Sequence, residues 1–373
     1  MTLQKAKRFA LIIAVLLGAA LFLQNFQHVE KPEMVATQGR TFETATVAEI
    51  VRDNLQEDGS RAGDQEVLLQ MTSGSQKGRL VAANCPNGLL FGTICEPGMK
   101  VIVLSSVVGA LDLHTVYNVD RSLPIYLYIG TFLLMLSLIG GKKGMKSAAA
   151  LVLTFVCFVY LFFPMIFRGT PPVVAAVLTA AVILAATMYL INGWSRKGGI
   201  AFLGTLGGVV VSGAAALIFG QMTNLSGYNV SNIESLLFVA QNTAIDVGQL
   251  LFAGVLFASL GAVMDIAMDI TAACTAVVKE NPAISREKLF AVGMDVGRDV
   301  MGTMATTLIL AFFGGSLSVW VLDYVYDLPY LQLINSNSVG VEIMKGFAGS
   351  FGVILTVPLS AALNAFAAES KKS

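Results

Sequence analysis

Histidine is nearly absent from this chain: His28 and His114 are the only two in 373 residues. Both lie in the polar N-terminal part, away from the long apolar segments. Their placement excludes an intramembrane zinc protease, whose metal needs histidine ligands at membrane depth, and most histidine acid–base schemes. Charge is scarce too. Asp, Glu, Lys and Arg make up 13% of the chain, against about 25% in an ordinary soluble domain. The 24 basic and 24 acidic residues balance, and the pI is near 6.7. No basic stripe or zinc-finger spacing is present, so nucleic acid is not an expected partner. There is no phosphate-loop motif, and no nucleophile–base pair can be assembled. Enzymatic activity and a cofactor are therefore not expected.

What the chain has in quantity is apolar length. Hydrophobic residues make up 55%, and the mean hydropathy is +0.72. About eight segments are long enough to cross a bilayer of ~30 Å. They lie near residues 8–24, 123–140, 147–167, 171–192, 199–220, 246–268, 301–322 and 342–366. Loop charge sets the orientation expected of them. Lys5, Lys7 and Arg8, then Lys142, Lys143 and Lys146, then Arg196 and Lys197, then Lys279, Arg286 and Lys288, and finally Lys371 and Lys372 all fall on one side. Arg168 is the exception. Both termini are then cytoplasmic. The first span also has the basic start and apolar core of a signal peptide, but no small-x-small cleavage site follows it closely. An uncleaved anchor is the expected form.

The expected architecture is mainly α: a polytopic membrane helix bundle with a small extracytoplasmic β-barrel-like domain inserted after the first span. Residues 1–24 form the anchor, 25–122 the β domain and 123–373 the helical bundle. The β domain alternates apolar and polar residues over Thr41–Val51, Glu66–Thr72, Gly78–Ala83, Lys100–Ser105 and Leu111–Val119. Turn formers such as Asp58-Gly59, Ser73-Gly74 and Pro97-Gly98 divide the runs. Five short strands imply a barrel of the OB or SH3-like kind. The segment shows no exposed aromatic pair beside a basic groove, the usual platform for bases. A structural or partner-binding role is expected of it. Cys85 and Cys95 both fall in this segment, where they form either a disulfide or two free thiols. Cys157 and Cys274 read as packing residues.

In the bundle, Gly141-Lys142-Lys143-Gly144 and Thr170-Pro171-Pro172 read as tight turns. Gly204 and Gly208, and Gly346, Gly349 and Gly352, recur at spacings that let membrane helices approach closely. The stretch from Gln221 to Gln241 is polar at first, with Asn224, Asn229 and Asn232, and is expected to contain a short interfacial helix leading into the sixth span. Asn281-Pro282 reads as a cap that starts a short helix through Ser285–Phe290.

One cluster carries ionisable chemistry. Asp265 and Asp269 end the sixth span, and Asp295, Arg298 and Asp299 begin the seventh. Each Asp pair is four apart and so shares a helix face. Asp295, Asp299, Thr303 and Thr307 step by four into the membrane as one polar stripe. Antiparallel neighbours would set both Asp pairs at one level, able to face each other. Four carboxylates and one guanidinium cannot stay ionised together in low dielectric. They take up protons, pair with Arg298, or hold a hard cation. At headgroup depth they would instead lock two helices together. Ionisable groups at membrane depth mark a functional site by default.

The run Gly297-Arg298-Asp299-Val-Met-Gly302-Thr303-Met-Ala-Thr-Thr-Leu-Ile-Leu-Ala-Phe-Phe-Gly314-Gly315-Ser316-Leu resembles the hallmark stretch of the YibE/F-like family of bacterial multi-pass membrane proteins. Gly261-Ala-Val-Met-Asp265-Ile-Ala-Met-Asp269 is similar to the segment before it, and Ser73-Gly74-Ser-Gln-Lys-Gly78 to the family's N-terminal half. The resemblance covers nearly the whole chain. It implies an integral plasma-membrane protein with one outside domain and fixes no activity.

Two expectations follow. The first is a proton- or cation-coupled transporter or exporter, with Asp265, Asp269, Asp295 and Asp299 as coupling carboxylates. Arg298 would tune them, and Thr303 and Thr307 would line the path. The second is a membrane scaffold or assembly factor whose outside domain binds a protein partner. Beyond the lipid bilayer, a homo- or hetero-oligomer is compatible with either.

Overall fold

The computed structural model describes residues 26, 29, 39–86, 93–108, 111–193, 195–230 and 233–369. The expected span over 8–24 and the basic pair Lys371–Lys372 lie outside the described residues. Two compact units are present, one within Lys31–Met135 and one including Leu136 onward.

The first unit is built on a closed five-stranded barrel of order β1-β2-β3-β5-β4. Its strands are β1 (Arg40–Arg52), β2 (Gln65–Met71), β3 (Leu80–Cys85), β4 (Lys100–Val108) and β5 (Leu111–Val119). Thirteen residues let β1 pair twice, with β4 through Arg40–Thr46 and with β2 through Ala45–Arg52. Irregularities between Val47 and Glu49 and between Ile50 and Arg52 bend it enough to do so. β3 meets β5 in parallel at Asn84 and Thr115, which closes the barrel. Of the two expected kinds, the order is that of an OB-type barrel. The alternation seen in the sequence points one face inward: Ala45, Val47, Val67, Leu69, Met71, Val101, Val103 and Val116 are all buried in one core. Each Val, Leu or Met side chain among them contributes roughly 1.5–3 kcal/mol when fully buried. Between β2 and β3 the chain turns through Gly74, whose φ of 81° suits glycine and which lies against the Glu43 carboxylate.

Among the described residues, six helices are long and apolar enough to cross a membrane. The first covers Ser122–Phe167, 46 residues, which at 1.5 Å per residue would be ~69 Å if straight, about twice a hydrocarbon core. It is not straight. Within α1 (Ser122–Cys157), Gly141 has φ 53° and ψ −135°, and the chain folds back so that Gly144 packs on the Leu136 carbonyl. The Gly-Lys-Lys-Gly turn is therefore real. A π-turn (Phe158–Phe162) leads into the short α2 (Phe163–Phe167).

The remaining candidates are α3 (Pro172–Asn192), α4 (Arg196–Thr223), α6 (Leu250–Glu280), α7 (Arg286–Gly315) and α10 (Asn337–Glu369). Between them lie α5 (Ile233–Asn242), in the stretch expected to hold a short helix, then α8 (Leu317–Val325) and α9 (Tyr330–Ile334). Small residues make the α4–α10 seam. Gly204 abuts Ser360, Gly208 abuts Thr356, and Gly352 abuts Ser212. Gly349 receives Leu308 and Ser259, and Gly346 meets Ile309. Close backbone approach of this kind replaces the hydrophobic drive that lipid removes.

One boundary differs from expectation. Asn281 does not start a helix; it ends α6 as its C-cap, and its side-chain oxygen accepts from the Ala283 amide. Ser285 caps α7, accepting from the Lys288 amide. The expected short helix and seventh span are thus one continuous helix, which stops at Gly315 rather than near residue 322. Both Asn and Ser are good caps, and the Ser lies directly before the longer helical run.

Candidate functional site

The five charged residues singled out from the sequence all lie on α6 and α7. These helices are antiparallel neighbours joined by Asn281–Ser285. Their register is set by Cys274, whose Sγ is 3.8 Å from the Leu289 carbonyl, and by Ser259 and Leu308, which meet at Gly349. That register puts Asp265 and Asp269 at about the depth of Arg298 and Asp299.

The packed face of α7 is the one carrying Leu289, Gly293, Gly297 and Leu308, all buried. Gly293 faces Ala361 and Cys274, and Gly297 faces Val357. At 100° per residue, Asp295 and Asp299 stand on the opposite side. Accordingly Asp295, Arg298, Asp299, Gly302, Thr303, Thr306 and Thr307 are all exposed. The helix is the least apolar of the six candidates and the least buried. On α6 the pattern repeats: Val263, Ile266, Ala267 and Ile270 pack inward, while Gly254, Ala258, Gly261, Asp265 and Asp269 form an exposed line.

The structure does not gather the carboxylates into one pocket. Arg298 donates to Asp295 at 3.2 Å within α7, both side chains being mostly exposed at 62% and 71%. Among the described residues, no hydrogen bond or ion pair engages Asp265, Asp269 or Asp299, and no group of three or more His, Cys, Asp or Glu could hold a metal ion. The threonine hydroxyls are satisfied within their own helix. Thr303 donates to the Val300 carbonyl and Thr307 to the Thr303 carbonyl, each at 2.8 Å. That lowers their cost in an apolar setting. Among the described residues, Asp265, Asp269 and Asp299 have no such local partner.

A second ion pair was not legible as a site. Glu342 and Lys345 on α10 pair at 2.7 Å and are only 11% and 29% exposed. Lys345 also borders a cavity of about 310 Å³ lined by Leu250, Gly254 and Phe312. The sequence signal was there, a Glu-x-x-Lys at helical spacing at the start of an apolar span, but it reads equally as the polar end of that span. Asp327 sits at φ 48° in the turn after α8.

In the barrel, Cys85 and Cys95 are buried as thiols with their sulfurs 3.0 Å apart. The Cys95 thiol donates to Cys85, which lowers the Cys85 pKa to about 7 despite burial, and the Cys95 pKa is pushed up. Nearby, Asp53 accepts from Arg61 at 2.6 Å and from Gln65 at 2.9 Å. These bonds, Gln65 first, hold its carboxyl below the usual range. One surface feature departs from expectation: Phe42 and Tyr117 form an exposed edge-to-face pair at 5.2 Å. They are far apart in sequence and meet only because β1, β4 and β5 are adjacent.

The family model described as YibE/F-like protein matches residues 128–370. The match takes in the bundle, including both Asp-bearing helices, and leaves the barrel outside it, so the likeness noted at Ser73–Gly78 is not part of the matched span. No curated protein and no solved structure matches the chain.

Proposed function

The chain belongs to the YibE/F-like family, and from that premise we propose that it is a bacterial plasma-membrane transporter or exporter that couples to protons through the carboxylates of α6 and α7. The observation that carries this reading is the exposed polar face on two apolar helices. Asp265, Asp269 and Asp299 stand there within about one helical turn of each other in depth, without partners among the described residues. A lone carboxylate in low dielectric exchanges a proton rather than keep its charge. A bound metal ion is less well supported, since the acidic side chains do not converge. Asp295, paired with Arg298 at 3.2 Å, is the member with a partner within its own helix.

The topology in this reading has eight spans, the break at Gly141 dividing the 46-residue segment into two. Both termini and the ends bearing Lys142, Arg196, Lys279 and Arg286 are cytoplasmic, and the barrel is outside. Reconstituted into liposomes under a proton gradient, the wild-type protein should move protons. Asp299→Asn should abolish the flux while leaving the amount of folded protein unchanged. Persistence of flux in Asp299→Asn, Asp265→Asn and Asp269→Asn alike would end the proposal.

The scaffold reading is favoured by one observation, the Phe42–Tyr117 pair exposed on the barrel near the equally exposed Leu113. In that case deletion of residues 40–120 removes partner capture, and unchanged partners after deletion would count against it.

A further inference from the structure

At one end of the bundle the N-termini of α4 and α7 meet the C-termini of α6 and α10 around a cavity of about 620 Å³. The charged residues lining it are Arg196, Lys197 and Lys279, with no carboxylate among them. Arg196 is pinned by donation to the Ala367 carbonyl. Among the described residues, neither Lys197 nor Lys279 has an ion-pair partner. Asn364 also lines the cavity; it is 4% exposed, and its amide is fixed by donation to Thr271 Oγ1 at 3.1 Å and to the Ser360 carbonyl at 2.8 Å. The first turn of α4 opens here and contains no acidic residue. Ser195 caps that turn by accepting from the Gly198 amide, so the positive character of the cavity comes from its three basic side chains. Ile200 and Leu289 supply apolar wall below the cationic rim.

Three like charges around one cavity repel unless an anion joins them. A carboxylate of the chain could have served, and among the described residues none lines the site. The wall is apolar where a soluble anion would want water, so the shape suits a headgroup that brings its own apolar part. Basic pockets between membrane helices bind anionic headgroups for this reason. We propose that this cavity binds a phosphate-bearing anion, with the phosphodiester of an anionic phospholipid as the source its apolar wall fits. The site is independent of the Asp-bearing faces of α6 and α7.

The test uses the full-length protein in a neutral detergent, with melting temperature read against three probes: short-chain phosphatidylglycerol, short-chain phosphatidylcholine and inorganic pyrophosphate. Phosphatidylglycerol should raise the melting temperature saturably, and phosphatidylcholine should not. Lys197→Gln/Lys279→Gln should weaken the apparent affinity at least tenfold, about 1.4 kcal/mol. Lys197→Arg/Lys279→Arg should retain it, which separates loss of charge from loss of fold. Lys142→Gln/Lys143→Gln, at the exposed Gly141 turn, should change nothing. A pyrophosphate shift with the same variant pattern and no lipid shift would assign the site to a soluble phosphate. Equal loss in the Lys142/Lys143 variant, or undiminished binding in the Lys197/Lys279 variant, would overturn the proposal.

Discussion

The same substitution at two glycines of α7 should have opposite effects. Gly293 lies in the seam with α10, where an added Cβ would sit 2.8 Å from Ala361 Cβ, 3.0 Å from its Cα and 3.3 Å from Cys274 Sγ. Carbon atoms prefer about 3.5–4.0 Å. Because the obstacle includes backbone, α7 and α10 must separate by roughly 0.5–1 Å, forfeiting a quarter to a half of the dispersion energy of each seam contact. Overpacking of this kind costs about 1–3 kcal/mol. Replacing glycine by alanine inside a helix returns about 0.8–1 kcal/mol. The net for Gly293→Ala is then a loss of about 0–2 kcal/mol. Gly302 is nine positions on, on the exposed face, with nothing within 4 Å of an added Cβ. There only the propensity term acts, so Gly302→Ala should stabilise by up to about 1 kcal/mol. Thermal unfolding of the full chain in one detergent compares them directly. Gly302→Ala should melt above wild type and Gly293→Ala at or below it. If both move in the same direction by the same amount, the assignment of packed and free faces on α7 is wrong.

Three further outcomes are expected. Oxidation of Cys85 and Cys95, ten residues apart, should stabilise the barrel by roughly 2–3 kcal/mol through loop closure; an unchanged melting temperature with the disulfide verified by mass would refute this. The rate of that oxidation by diamide should rise through about pH 7, where Cys85 ionises, and an onset near pH 9 would show that Cys95 does not assist it. Asp53 has a folded pKa below its ordinary 3.8, so the stability it lends is complete above that value and is lost as pH falls through the folded one. Hydrogen-exchange protection across residues 53–66, taken relative to the intrinsic rate at each pH, should therefore fall only below about pH 4, and Asp53→Asn should lose that protection at neutral pH too; protection insensitive to the substitution would discount the clamp.

Much of this was open to reading in the residues. The barrel strands follow from strict alternation between Gly-containing turns, and β1 to β5 fall within a few residues of the apolar runs. Their order did not follow, because closure depends on a single parallel pairing of Asn84 with Thr115 across a gap no local pattern encodes. The reversal at Gly141 was legible, since two glycines around two lysines suit neither a helix interior nor lipid. Asn281-Pro282 and Ser285 are competing start signals for α7, and Ser285, directly before the longer helical run, makes the cap by accepting from the Lys288 amide. The stripe Asp295–Asp299–Thr303–Thr307 was placed on one face by its spacing. Which way that face points is set by Gly293 and Gly297 meeting Val357 and Ala361, some sixty residues away. Spacing alone let the two Asp pairs face each other; the packing turns them outward as exposed groups instead. Phe42 with Tyr117 and Glu342 with Lys345 went unread for related reasons, the first pair being made by topology and the second resembling a helix end.

The central claim is that the carboxylates on α6 and α7 exchange protons as a functional site rather than lock two helices. The most direct measurement is the melting temperature of the detergent-purified protein against pH and a panel of cations, with Asp299→Asn and Asp265→Asn alongside. A ligand held only by the folded state adds about 2.7 kcal/mol at a hundredfold excess over its Kd. The account predicts a pH-dependent shift that no cation reproduces and that both variants lose. Absence of any shift, with both variants melting below wild type, would contradict it and make the charged residues a structural lock.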